Sequence, residues 1–225
     1  MSETEPLTLK TKKDSSASLP TILSFANDLP NLCSLVGLLS TVFAIYFAIV
    51  GNFPAAMIGL LWATLFDWGD GLIARRMKSR SETRGEFGGQ LDSLIDIISY
   101  AVCPAIVLLS YGGFSPWFLP GAFCIVAAAA LRLSYYNVFG LSESSTYQGL
   151  AMDNNALILA MLFVIESFIS ASVFTILLYI VLVALAILNV SSITTTKLTG
   201  KWYYIITAYI LLLTLFYGWQ LLETN

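Results

Sequence analysis

Seven apolar stretches, separated by short polar breaks, follow one another along most of the chain. They cover residues 31–50, 54–77, 87–111, 115–138, 150–169, 173–191 and 202–222. Each stretch is close to the roughly 20 residues that an α-helix needs to cross a bilayer. Glycines mark several of the breaks, as is usual where helices end. The pattern therefore predicts an all-α polytopic membrane protein with seven transmembrane helices.

The composition supports this fold class and excludes several functions. Apolar residues make up 57% of the 225 residues and charged residues 11%, against about 25% charged in an ordinary soluble protein. The net charge of −3 argues against nucleic acid as a partner, because such a partner needs a clustered basic face. The chain has no histidine, which excludes a catalytic Ser-His or Cys-His pair. Its three cysteines lie in apolar stretches without paired spacing, which excludes a disulfide framework.

The distribution of lysine and arginine predicts the orientation. If the seven segments cross in turn, all 11 basic residues fall on one side: near residues 10–13, 75–84, 132 and 197–201. Because basic residues mark the cytoplasmic side, we expect the N-terminus inside and the C-terminus outside. Residues 1–19 have no apolar run and are predicted to be a disordered cytoplasmic tail. Residues 20–30 could form an interfacial helix or a plain linker.

Two of the apolar segments carry aspartates on one helical face together with very small residues. The second segment has such a stripe at spacing i, i+3, i+4 and i+7, namely Asp67, Asp70, Gly71 and Ala74. The third has one at spacing i, i+4 and i+8, namely Gly88, Asp92 and Asp96. An aspartate at the centre of a membrane helix costs roughly 2.5–3.5 kcal/mol. The aspartates therefore need a partner that offsets this cost.

A hairpin of these two helices would bring the four carboxylates together, where they would repel one another unless cations bound them. Oxygen ligands without histidine or cysteine favour hard ions such as Mg²⁺, Mn²⁺ or Ca²⁺. Gly71 and Ala74 leave space beside such ions, and Arg75 adds positive charge. Metal ions, an arginine and a cleft suit a diphosphate. The basic residues between 76 and 84 are interpreted as topology determinants and lipid-headgroup contacts.

These residues resemble the signature of the CDP-alcohol phosphatidyltransferase family, DxxDGxxAR…GxxxDxxxD. All eight fixed residues are present between Asp67 and Asp96, although the spacer of 12 residues after Arg75 is longer than is common in the family. Residues 30–34, 92–105, 131–137 and 190–193 are similar to the phosphatidylserine synthase branch. The likeness covers about residues 30–195. The double proline usual at the start of the fifth helix is replaced here by residues that include Asp153.

The resemblance implies a six-helix phosphotransferase core at residues 31–195, followed by a loop and an additional C-terminal transmembrane helix at residues 196–225. It implies transfer of a phosphatidyl group from CDP-diacylglycerol to an alcohol, with release of CMP near the cytoplasmic interface. It also implies two divalent cations, Mg²⁺ or Mn²⁺, and a homodimer among membrane lipids. The implied metal ligands are Asp67, Asp70, Asp92 and Asp96, with Asp96 also the general base. The implied contacts to the nucleotide and its diphosphate are Asn31, Gly71, Ala74, Arg75 and Gly88.

Serine is the favoured acceptor, because two charges suggest a partner that carries both signs. Arg132 suits a carboxylate, and Asp153 suits an ammonium group. Choline, inositol or inositol phosphate, and glycerol phosphate are alternatives within the same reaction class. A cation transporter is an alternative of another class, since intramembrane aspartates often mark ion paths. A scaffold that retains a degenerate enzyme fold is a further one.

Overall fold

The structure, a computed structural model, describes residues 20–78, 80–140, 146–196 and 200–223. The predicted tail at residues 1–19 lies outside the described residues. Two short strands, β1 (Thr146–Gln148) and β2 (Thr194–Thr196), pair antiparallel. The helices are α1 (Leu29–Ile49), α2 (Phe53–Arg76), α3 (Glu82–Ile97), α4 (Cys103–Tyr111), α5 (Leu119–Phe139), α6 (Asp153–Val164), α7 (Ala171–Asn189) and α8 (Trp202–Glu223).

The helices α3 and α4 form one continuous span, Glu82–Tyr111, which contains a π-helical turn at Ile98–Val102. With this span counted once, the described helices make seven segments, and six of them are long and apolar enough to cross a membrane. Large apolar side chains on their outer faces are exposed, among them Leu39, Phe43 and Ile176, as a lipid environment requires. The predicted all-α polytopic membrane fold is confirmed.

The fifth predicted segment, residues 150–169, is a shorter helix than the sequence suggests. Helix α6 has 12 residues, or roughly 18 Å, and a 3₁₀ turn at Glu166–Phe168 follows it. Before α6 the chain forms the strand β1 and then bends at Gly149, which adopts φ +74°. The N–H of Gly149 donates to the carbonyl of Ile193 at 2.7 Å. A Cβ at position 149 would collide with the carbonyl oxygen of Asn189, so only glycine fits there.

Contacts with α2 fix the position of α6 along the axis of α2. At its start, Asp153 accepts a hydrogen bond from Trp68 Nε1 at 3.0 Å. Near its end, Phe163 stacks on Phe53 with ring centroids 5.4 Å apart. Trp68 lies eight residues before Arg76, the end of α2, or roughly 12 Å along the helix axis. Helix α6 therefore begins inside the bundle and leaves a recess between its start and the end of α2.

Helix α2 is central and packs closely against α1 and α8. A Cβ at Gly59 would lie 2.8 Å from the carbonyl oxygen of Ser40, which sets how closely α1 approaches. On the other side, Tyr209 of α8 donates to the carbonyl of Leu157 in α6 at 2.8 Å. Helix α8 is thus an integral part of the bundle. The fully buried core beside these contacts includes Ala44, Ala48, Ala56, Met57, Leu60 and Leu61.

The predicted interfacial segment at residues 20–30 contains a single 3₁₀ turn, Ile22–Phe25. Ile22 and Leu23 are exposed, whereas Phe25 stacks on Phe87 of α3 with ring centroids 4.4 Å apart. The segment is therefore attached to α3 and leads directly into α1.

Candidate active site

The α2–α3 hairpin brings together aspartates from both stripes. One carboxylate oxygen from each of Asp67, Asp70 and Asp92 lies within 4.8 Å of the other two. Asp70 is buried and accepts a hydrogen bond from Ser34 Oγ of α1. We refer to Asp67, Asp70 and Asp92 as the acidic cluster.

Asp96 lies one turn further along α3 and lines the same cavity as the acidic cluster. Its Oδ1 atom is buried and has no hydrogen-bond partner among the described residues. A buried carboxylate oxygen without a partner is rare, and a bound cation would supply the missing contact. An all-carboxylate ligand set fits a hard divalent cation such as Mg²⁺ or Mn²⁺. The acidic cluster can hold a metal ion, and Asp96 lies in the wall of the same cavity.

A cavity of about 770 Å³ opens beside the acidic cluster, at the recess left by the deep start of α6. Its volume is typical of sites for small ligands. Gly71 lies in its wall, and a Cβ at this position would meet only the end of the Arg75 side chain, at 3.7 Å. Gly71 thus leaves the space next to Asp70 open.

The rim of the cavity carries Arg75 together with a residue that sequence reasoning missed. Arg75 Nη1 donates to the hydroxyl of Tyr203, the second residue of α8, at 3.2 Å. The Tyr203 ring packs edge-on against Trp68, with ring centroids 5.3 Å apart. Tyr203 is 128 residues from Arg75, and no local pattern in α8 distinguishes it from the other tyrosines there.

Arg132 lines the cavity, as the acceptor hypothesis expects, and it also has a structural task. It is 7% exposed, and its Nη1 donates to the carbonyl oxygens of Gln148 at 2.5 Å and Asn189 at 2.9 Å. Its guanidinium carbon lies 4.8 Å from the centroid of the Tyr136 ring. Arg132 therefore fastens the end of β1, just before α6, to the end of α7.

Asp153 also lines the cavity, at the first residue of α6. One carboxylate oxygen accepts from Trp68 Nε1 at 3.0 Å, and the other accepts from the backbone N–H of Asn154 at 3.0 Å. These two donors fix the direction of the carboxylate. The structure thus places a negative charge and the positive charge of Arg132 on the wall of one cavity.

A buried pair of amides supports the start of α6. Asn155 and Asn189 are 0% and 1% exposed and exchange two hydrogen bonds, at 2.9 and 3.2 Å. Asn155 Nδ2 also donates to the carbonyl of Tyr100 at 3.1 Å. Pro104, four residues after Tyr100, lacks the N–H that an α-helix would offer to that carbonyl. In the sequence, the only indications of this contact are Pro104 and Asn155, a proline and a polar residue within apolar segments.

Three of the predicted ligand-binding residues, Asn31, Ala74 and Gly88, are not among the residues that line the cavity. Asn31 Oδ1 accepts from Arg80 Nη2 at 2.9 Å, and a Cβ at Gly88 would collide with that guanidinium group. Arg80 also forms an ion pair with the buried Asp28, with Nη2 to Oδ2 at 2.6 Å. Arg80 therefore fastens the residues before α1 to the α2–α3 connection, rather than facing lipid headgroups as expected.

The fold and the cavity define a multi-pass membrane protein with a carboxylate-lined cavity whose acidic cluster could hold a metal ion. The profile of the CDP-alcohol phosphatidyltransferase family matches residues 27–223, a range that includes α8. The chain belongs to this family, as its eight signature residues indicate.

Several curated relatives are similar to parts of the chain. The archaetidylserine synthase of Methanothermobacter thermautotrophicus is 40% identical over 112 residues, 49% of this chain and 47% of that protein. The CDP-diacylglycerol–serine O-phosphatidyltransferase of Methanocaldococcus jannaschii is 35% identical over 96 residues, 42% of this chain and 43% of that protein. The phosphatidylcholine synthase of Rhizobium johnstonii is 27% identical over 151 residues, 64% of this chain and 61% of that protein.

These matches span between about two fifths and three fifths of the lengths of the relatives. The predicted similarity to the branch named for serine is confirmed. The relative from Rhizobium johnstonii is named for choline instead.

Proposed function

We propose that this protein transfers a phosphatidyl group from CDP-diacylglycerol to the hydroxyl of serine, giving phosphatidylserine and CMP, with the help of two divalent cations. The observation that carries the proposal is the convergence of four carboxylates on one cavity, with Gly71 and Arg75 in its wall. All six residues belong to the family signature. A site of this composition suits a diphosphate held by metal ions.

In this proposal the residues have separate roles in an in-line displacement at phosphorus. Divalent cations bound at the aspartates would supply Lewis-acid stabilisation of the attacking and leaving oxygens. Arg75 binds phosphate oxygens from the rim, and Gly71 lets the diphosphate approach. Asp96 takes the proton of the serine hydroxyl. The hydroxyl oxygen then bonds to the phosphatidyl phosphorus as the bond from that phosphorus to the CMP oxygen breaks.

The charges on the cavity wall support serine over the other acceptors. The positive charge of Arg132 attracts a carboxylate, and the negative charge of Asp153 attracts an ammonium group. Choline has only the cation and would be repelled by Arg132, whereas inositol phosphate has only the anion and would be repelled by Asp153. Two of the relatives carry names that include serine. Choline is the second candidate, because the relative from Rhizobium johnstonii is named for it and Trp68 in the cavity wall offers a face for a quaternary ammonium.

The orientation and assembly follow as further parts of the proposal. The cavity lies at the end of the bundle that carries Arg75 and Arg84, so we place this end and the N-terminus on the cytoplasmic side. A soluble acceptor would then enter from the cytoplasm while the lipid tails stay in the bilayer. The family resemblance also predicts a homodimer, which cross-linking in membranes would test.

The decisive experiment measures CMP release by the purified protein with CDP-diacylglycerol and Mg²⁺ or Mn²⁺. Serine, choline, inositol, inositol phosphate and glycerol phosphate are supplied one at a time. A parallel series uses CDP-archaeol as the donor, because one relative is named for an archaetidyl product. We expect product only with serine and only without chelator. Product with choline and none with serine would overturn the acceptor assignment.

Asp153→Asn sharpens the same experiment. Loss of a charged partner should raise the KM for serine by roughly 10- to 100-fold, as for other hydrogen bonds to charged groups, and leave the KM for the donor unchanged. If the wild-type protein releases no CMP with any acceptor but carries cations across vesicle membranes, the transporter alternative is favoured instead.

A further inference from the structure

Helix α8 contributes one side chain to the cavity, at a position outside the family signature. The hydroxyl of Tyr203 accepts a hydrogen bond from Arg75 Nη1 at 3.2 Å, and its ring lies against Trp68. Trp68 in turn donates to Asp153 at 3.0 Å. One tyrosine therefore contacts both the arginine proposed to bind the donor and the indole that fixes the carboxylate proposed to bind the acceptor.

We infer that Tyr203 is a positioning residue of the active site. Its hydroxyl orients Arg75 for the diphosphate of the donor, and its ring orients the Trp68–Asp153 pair for the acceptor. The inference rests on the proposed function. It goes beyond that function in giving α8 a part in substrate binding.

Arg75 needs such a partner because its side chain is long and exposed. A free arginine side chain samples many rotamers, and ordering it costs entropy when a ligand binds. The contact with Tyr203 restricts Arg75 at the rim before the donor arrives, which lowers the entropic cost of binding.

The position of Tyr203 is itself set by helix packing. Ile206 and Ile210, on the following turns of α8, are buried. Tyr209 and Tyr217 donate to carbonyl oxygens of α6. The start of α8 is thus held against the bundle, and the Tyr203 hydroxyl is presented from a rigid element rather than from a loop.

Two substitutions separate the roles of the hydroxyl and the ring. Tyr203→Phe removes only the hydroxyl and should raise the KM for the CDP-lipid about fivefold, the usual effect of one lost hydrogen bond. The kcat and the KM for serine should stay within about twofold. Tyr203→Leu also removes the ring contact with Trp68, and should raise the KM for serine by about threefold or more.

Tyr204 provides the matched control, because its side chain is 80% exposed. Tyr204→Phe and Tyr204→Leu should leave all three kinetic constants unchanged. Melting temperatures of Tyr203→Phe and the wild type should agree within about 2 °C, which shows that the kinetic change does not come from loss of the fold.

A double-mutant cycle tests the route through Arg75. In an Arg75→Met background, calorimetric titration with CDP should show no further effect of Tyr203→Phe, whereas the single Tyr203→Phe variant should bind CDP more weakly than the wild type. Equal effects in both backgrounds would overturn the inference. The inference would also be overturned if Tyr203→Phe had the same CDP affinity and the same KM for the CDP-lipid as the wild type. If the wild type released CMP in that case, the proposed function would still stand. A wild type that neither binds CDP nor releases CMP would overturn both.

Discussion

Replacing one aspartate of the acidic cluster should stabilise the metal-free protein and remove its response to metal ions. Two unit negative charges at 4.8 Å, the upper limit of the separations within the cluster, repel by about 3.5 kcal/mol at an effective dielectric constant of about 20. Asp92→Asn removes two of the three repulsions within the cluster. At that separation the gain in unfolding free energy is about 7 kcal/mol if all three groups are ionised, and movement of the side chains apart reduces it.

Thermal unfolding in detergent, with chelator and then with Mg²⁺ or Mn²⁺, measures both effects. A metal ion at 100 times its Kd stabilises a protein by about 2.7 kcal/mol, which is roughly 5–11 °C for a chain of this length. The wild type should show this shift. Asp92→Asn should melt higher than the wild type in chelator and gain little from metal. Asp153→Asn, in the cavity but outside the cluster, is the matched control and should keep the metal shift of the wild type.

Two results would refute this reasoning about the acidic cluster. One is an Asp92→Asn variant with the same metal-induced shift as the wild type. The other is an Asp92→Asn variant that melts lower than the wild type in chelator, since the carboxylates would then not destabilise one another. Activity gives an independent measure, because Asp92→Asn and Asp96→Asn should each lose more than about tenfold in kcat, or ~1.4 kcal/mol.

The remaining predictions concern helix packing, the buried amide pair and the orientation. Gly59→Ala should lower the melting temperature at a cost of about 1–3 kcal/mol, because its methyl group would press on α1 backbone. Gly218→Ala, with no neighbouring atom within 4 Å, should stabilise by up to about 1 kcal/mol, and equal melting temperatures for the two would contradict the packing. Asn155→Leu should cost about 1–3 kcal/mol in thermal unfolding, and an unchanged melting temperature would show that the amide pair does not support α6. Single cysteines at Arg84 and Trp117, on a cysteine-free background, should react with a membrane-impermeant maleimide from opposite sides. Labelling of both from one side would contradict the topology.

The acidic cluster could be predicted because it depends on the spacing of residues within two neighbouring helices. Helical periodicity alone places Asp67 and Asp70 on one face and Asp92 and Asp96 on another. The connection between α2 and α3 is short enough that the two faces meet. The carboxylate distances within 4.8 Å follow from spacing that is visible in the sequence.

The start of α6 and the contacts of Arg132 could not be foreseen, because both depend on backbone groups far apart in the chain. The N–H of Gly149 bonds to the carbonyl of Ile193, and Arg132 Nη1 bonds to the carbonyl of Asn189. Because every residue has a carbonyl oxygen, no side-chain pattern indicates which carbonyl will accept the hydrogen bond. Tyr203 was missed for a related reason, since it reaches the site only through the packing of α8.

The π-helical turn at Ile98–Val102 determines which side chains of a long helix face the cavity and which face the core. A π turn holds one residue more than an α turn, which rotates α3 relative to α4 by about 100°. Asp96 can therefore face the cavity while Val107 and Leu108 face the core. Deleting Ile98, which is only partly buried, would keep every carboxylate and every fully buried core side chain. It would nevertheless rotate the cavity-facing side chains of α3 relative to the core-facing side chains of α4. The chemistry of the site thus depends on the number of residues in this turn as much as on their identity.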